Sequence, residues 1–242
     1  MLSVEGYEAP RATGDMPAAV GLLFLFRRAE TGLSEGRCCG SGDPPLNERG
    51  RDQAARIAEF LRRRPAAAIY SSPQARAMQT AEPSARALNL EVCPLDDLRD
   101  VHFGAWEGLS FEAAREHYPE AWQARQADPY SAAPPGGESC RDLAARVLPA
   151  FEELLTRHRG DDIAVFAHES VNRVFLAHLL SMPAAYYRRI GQEPGAVSVI
   201  KSRDSGVEVL TINERCHLGF SGGDLCRALS GGEAAEGPAC KP

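Results

Sequence analysis

The stretch Leu22–Thr31 reads LLFLFRRAET, and its abrupt change of character limits the folds open to this chain more than any other segment. Val20–Phe26 is a continuous apolar run with β-favouring members. A strand covered on both faces reads this way, and such strands belong to α/β sheets. Arg27 and Arg28 follow at once. A buried strand that ends in a cationic turn makes a site for an anion.

The rest of the chain supplies matching pieces. The spacing of Ala54, Ile57, Ala58, Phe60 and Leu61 predicts a helix over Leu46–Arg64, capped by Asn47 and ended by Pro65. Ala67–Tyr70 and Leu90–Pro94 read as short strands. Between them, Ser71–Ser72–Pro73 opens a helix to about Leu88, with Pro73 in its first turn, where its missing amide costs nothing. Ser110–Gln126 reads as one or two helices broken at Pro119. Glu138–Arg159 is a long amphipathic helix, bent or kinked at Pro149. Asp162–Ala167 is a third apolar strand running into His168, and Ser170–Leu180 is the helix after it. Val197–Lys201 and Val207–Ile212 flank turn residues and form a hairpin at a sheet edge.

Strands alternating with helices imply an α/β fold: a three-layer sandwich with a mostly parallel central sheet, helices on both faces and a small helical insert over the site. Residues 1–19 read as a flexible lead, 20–218 as a single domain with the insert at 110–137, and 219–242 as a disordered tail. The length of 242 residues is enough for one sizeable core. Net charge is −6, which argues against a nucleic-acid surface. Any cationic site must therefore be local. The seven cysteines are odd in number and form no CxxC, so neither a disulfide framework nor a zinc site is expected. No signal peptide or membrane span is read, and the expected location is the cytoplasm.

In a parallel sheet the ligand lies beyond the C-terminal strand ends. Arg27 and Arg28 follow one strand, Ser71–Arg76 another, and His168 a third. Guanidinium groups bind phosphate oxygens in pairs, and helix starts add amides and a positive dipole end. Any one of these arginines alone reads as a surface ion pair. Three strand ends carrying such groups together point to a phosphate or another small anion.

These segments closely resemble the histidine phosphatase superfamily, the phosphoglycerate-mutase-like group. Its first strand ends in Arg-His-Gly-Glu-Thr/Ser; here the residues are Arg27-Arg28-Ala29-Glu30-Thr31. Its loop motif GR-x-x-G-x-x-D-x-P-L-x-x-x-G is matched from Gly36-Arg37 through Asp43 and Leu46 to Gly50. SSP-x-x-RA-x-QTA stands at Ser71–Ala81. Asp100 precedes Phe103-Gly104-Ala105-Trp106-Glu107-Gly108, and a strand ends in His168. The loop spelling is most similar to the ribazole-phosphatase branch.

The resemblance implies that the histidine of the first motif becomes phosphohistidine. Arg27, Arg76 and His168 would hold the phosphate, and an acid near the FG-x-WEG turn, here Asp100, would protonate the leaving oxygen. No metal or cofactor is implied. Arg28 stands at the nucleophile position, where a protonated guanidinium offers no lone pair. Ala29 replaces the motif glycine, and Asp100 is shorter than the usual glutamate. Catalytic candidates are therefore Asp100 and His168, with Arg27, Arg28, Arg76 and His168 as anion ligands. Glu30, Ser34, Ser41, Glu107 and Glu169 are expected around the pocket. Cys38 and Cys39 read as ordinary thiols in the loop over it, and Trp106 and Trp122 as packing or pocket wall.

The sequence thus favours a protein that binds a phosphate monoester or other small anionic metabolite, with phosphohistidine chemistry lost or redirected. An active phosphatase, or an enzyme repurposed around His168, Asp100 or Glu169, is the alternative. A regulatory or scaffold protein is a third. A homodimer is left open; no nucleic-acid or membrane partner is expected.

Overall fold

The computed structural model describes residues 20–32, 37–203 and 205–219. The lead at 1–19, Ser34 and the tail beyond residue 219 lie outside the described residues. Six strands form one sheet in the order β3-β2-β4-β1-β5-β6. They are β1 (Gly21–Arg27), β2 (Ala68–Ser71), β3 (Val92–Pro94), β4 (Ile163–Ala167), β5 (Val197–Arg203) and β6 (Gly206–Glu214). The first four are mutually parallel, while β5 runs antiparallel to β1 and β6 antiparallel to β5.

The apolar run of β1 supplies both faces of the sheet. Leu23 and Leu25 join Val165, Leu143, Val147, Phe151 and Phe175 in one core, under α5 (Cys140–Arg157) and α6 (Glu169–Leu179). Phe24 and Phe26 join Phe166, Ile57, Leu61, Ala81 and Ala85 in another, under α1 (Glu48–Arg63) and α2 (Ala75–Leu88). The period-2 alternation of a strand sends successive side chains to opposite layers. Stacked pairs tie neighbours within each layer: Phe26–Phe166 joins β1 to β4 at 4.9 Å, and Phe151–Phe175 joins α5 to α6 at 3.9 Å. The insert consists of α3 (Phe111–His117) and α4 (Pro119–Ala127), separated at Tyr118.

Local chemistry accounts for the helix starts. The Asn47 side chain accepts from the Gly50 amide at the head of α1. Ser139 and Asp142 form a reciprocal capping box on α5. α2 departs from its sequence reading: it begins at Ala75, so Pro73 precedes the helix instead of lying in its first turn. The chain at Ser71 is still strand, and the Ser72 amide donates to the Phe166 carbonyl, which prolongs the extended pairing. α5 carries Pro149, and α2 carries Pro83, within continuous helix.

Candidate anion site

Register brings the strand ends together. Arg27 pairs with Ala167 across β1 and β4, and the Arg28 amide donates to the Ala167 carbonyl at 2.8 Å. Ser71 lies opposite Phe166. Arg27 and Arg28, the start of α2 and the start of α6 therefore share one edge of the sheet. A cavity of about 1060 Å³ opens there, with Arg27, Arg28, Glu30, Arg76, Asp100 and Glu169 on its wall.

Arg76 is the best-held cation. It is 1% exposed. Its guanidinium donates to the Gly42 carbonyl at 2.6 Å and the Gly40 carbonyl at 2.8 Å, and it meets Asp43 at 3.2 Å and Asp100 at 3.3 Å. Asp43 also accepts from the Ala75 and Arg76 amides, so the start of α2 already carries a carboxylate. Gln74 completes this corner by donating to Gly40 and accepting from the Asp100 amide. A side chain at Gly40 would sit 1.7 Å from the Val101 carbonyl oxygen, so this close approach requires glycine.

The Arg27–Arg28 corner is different. Arg27 meets Glu169 at 2.9 Å and donates to the Gln192 carbonyl. Glu169 also pairs with Arg173. Among the described residues, Arg28 donates only to the neighbouring Ala29 carbonyl, at 3.1 Å. Burial, then the Arg27 charge, push its guanidinium down to about 10, which leaves it cationic at neutral pH. The Ala29 methyl is buried against Leu46 and Ala54, and the Ala29 amide donates to Thr80.

His168 is fully buried beneath these cations and is absent from the cavity wall. Both ring nitrogens lack a hydrogen-bond partner among the described residues. Burial, followed by the charges of Arg76, Arg28 and Arg27, holds its pKa well below the ordinary histidine value. Its imidazole is therefore neutral, and its 3.6 Å approach to Asp100 is a contact without an ion pair. Asp100 moves the other way. Burial raises its carboxyl above the ordinary aspartate value, and Arg76 opposes the shift. A carboxyl that retains its proton more readily suits proton donation.

Glu107 and Ser41 are off the cavity wall. The Glu107 carboxylate accepts the Gly40, Ser41 and Phe103 amides and so ties the loop to the turn at Gly104–Trp106. Cys38 and Cys39 line the cavity, but burial pushes both thiols up, Cys38 to about 11, so neither is a thiolate at neutral pH. The sequence reading passed over Gln74, Thr80 and Gln53, which fix the backbone of the site. It also passed over Arg125, Tyr187 and Arg188 on the cavity wall. Gln74 and Thr80 sit inside the Ser71–Ala81 motif; no sequence signal marked the other four. Among the described residues no cluster of His, Cys, Asp and Glu suits a metal ion, and no helix is long and apolar enough to cross a membrane.

A family model described as the histidine phosphatase superfamily (branch 1) matches residues 23–215. The chain is 34% identical over 198 residues to phosphoserine phosphatase 1 of Hydrogenobacter thermophilus, covering 81% of this chain and 94% of that protein. Mycobacterial relatives at 35% identity are longer, and the match covers 60% of their length. Among solved structures, a mycobacterial glucosyl-3-phosphoglycerate phosphatase superposes with a TM-score of 0.72 at 28% identity, over 80% of this chain and 99% of that one. The alpha-ribazole phosphatase of Shigella flexneri gives 0.74 at 26% identity, over 80% and 96%.

Proposed function

The chain belongs to the histidine phosphatase superfamily, and from that premise we propose that its cavity binds a phosphate monoester and that the reaction class is phosphomonoester hydrolysis. The carrying observation is the presence of Arg27, Arg28, Arg76 and Asp100 on one wall at converging strand ends. The relatives that bear phosphatase names support hydrolysis over the loss of activity that the sequence alone favours.

The resemblance puts Arg28 at the nucleophile position, and a guanidinium cannot accept a phosphoryl group as imidazole does. Attack therefore falls to water. Its oxygen bonds to phosphorus as the ester P–O bond breaks. Asp100 gives its proton to the leaving oxygen, and Glu169 takes the proton from water. The products are an alcohol and inorganic phosphate. The arginines stabilise charge spread over the phosphoryl oxygens.

A second reading is binding without turnover. It is favoured by Arg28 and by Glu169, whose carboxylate already engages Arg27. Hydrolysis of p-nitrophenyl phosphate separates the two. Turnover above about 1 s⁻¹, within the usual enzyme range, supports hydrolysis. Phosphate binding with no detectable turnover supports the second reading. A phosphorylated imidazole trapped by acid quench would overturn the water route.

A further inference from the structure

The cavity is larger than a phosphate group needs; about 1060 Å³ is at the top of the ~300–1,000 Å³ range of small-molecule sites. The wall supplied by the insert and the turn before it is aromatic and cationic. Trp106 and Trp122 lie 5.5 Å apart, and Phe103 stands beside them. Arg125 of α4 reaches over the rings of Phe103 and Trp106, at 5.8 and 6.0 Å. These distances are at the outer limit of a cation–π contact.

Arg125 is 6% exposed, yet among the described residues no carboxylate pairs with it. Its one hydrogen bond among the described residues goes to the Ala132 carbonyl at 3.3 Å. The guanidinium itself lies on the cavity wall, where its other donors can be reached by an anion. The buried indole N–H of Trp106 also lacks a partner among the described residues. Arg188 reaches the same cavity, and its only hydrogen bond among the described residues is to the Tyr187 hydroxyl, at 3.3 Å. Burial, with the Arg188 charge pushing the same way, lowers the Arg125 pKa. Arg173 feels both Arg27 and Arg188 and so links the two groups of cations.

We propose that the ligand carries a second anionic group, a carboxylate or another phosphate, seated on Arg125 and Arg188, with a planar or apolar segment against Trp106 and Trp122 joining it to the phosphate. This rests on the phosphate-monoester reading and adds a substrate class to it: doubly anionic esters. An anion there supplies the counter-charge that Arg125 lacks.

Titration calorimetry with inorganic phosphate, phenyl phosphate and the 3- and 4-carboxyphenyl phosphates tests it. At least one carboxyphenyl ester should bind 10-fold or more tightly than phenyl phosphate. Arg188→Ala, at an exposed position, should abolish that preference while phosphate and phenyl phosphate bind as before. Arg125→Gln should act in the same direction. Phosphate binding with no preference for either carboxylate, or a preference that survives Arg188→Ala, overturns the second anion seat alone. Failure of inorganic phosphate and phenyl phosphate to bind overturns the underlying reading and this proposal with it.

Discussion

Arg76 and Arg28 stand on the same cavity wall but have opposite surroundings. Arg76 is enclosed by two carbonyls and two carboxylates, all within 3.3 Å. Among the described residues Arg28 donates only to its neighbour's carbonyl. The first is paired by the protein; the second awaits charge from outside. The difference separates an arginine that builds the site from one that a ligand can claim. Likeness of residue type in a sequence motif does not distinguish them.

The most drastic way to break this contrast is to put an imidazole in the open corner. The double change Arg28→His, Ala29→Gly should raise p-nitrophenyl phosphate turnover by on the order of 10³-fold or more, since loss of a covalent nucleophile elsewhere costs about 10⁶. Initial rates check this, with acid-quench labelling of the new imidazole. No gain would show that the cradle geometry does not suit in-line attack from residue 28.

Stability gives the next largest difference. Arg76→Met leaves the carboxylates of Asp43 and Asp100 without their guanidinium partner, and urea melts should show a loss of about 3–5 kcal/mol. Arg28→Met removes a cation that forms no ion pair with a carboxylate among the described residues, and its unfolding midpoint should stay level or rise. Equal losses in the two variants would erase the distinction between the corners.

Glu169 offers a finer adjustment. Its carboxylate engages Arg27 and Arg173. Glu169→Gln removes a negative charge that an incoming phosphate must face. Phosphate affinity should rise about 3- to 10-fold at low ionic strength, with the gain shrinking as salt screens it. Unchanged affinity at every salt concentration would mean that the anion sits away from Arg27.

The smallest effect comes from beneath the cradle. His168 has a folded-state pKa depressed below its ordinary value near 6.5. The unfolded chain then binds the extra proton first, so stability falls as pH drops below about 6.5 and the loss continues down to the folded pKa. Asp100 has the opposite sign. Its carboxyl is raised above the ordinary value near 3.8, so its contribution is full below that value and is lost as pH rises through the folded pKa. Thermal melts of wild type and His168→Gln should diverge progressively in acid, with the flatter slope in the variant.

The fold was legible because β1 is apolar on both sides and its neighbours repeat the pattern, while Asn47 and Pro119 mark where helices start or break. The strand ends also indicated which loops would meet. The partners of each cation were not legible. Asp43 comes from 33 residues before Arg76 in the chain, and nothing in either local pattern pairs them. His168 ends an apolar strand, and only the packed layers show that it lies under the cavity instead of on its wall. Arg125 sits in an insert whose helices carry no periodic apolar face. Its position over Phe103 and Trp106 follows from tertiary packing alone.

Calorimetric titration of inorganic phosphate into wild type and Arg28→Met tests the central claim most directly. If Arg28 is the cation left open for the ligand, phosphate should bind the wild type and lose 10-fold or more in affinity in the variant, with the thermal midpoint undiminished. Equal affinity in the two proteins would place the anion elsewhere and contradict the account.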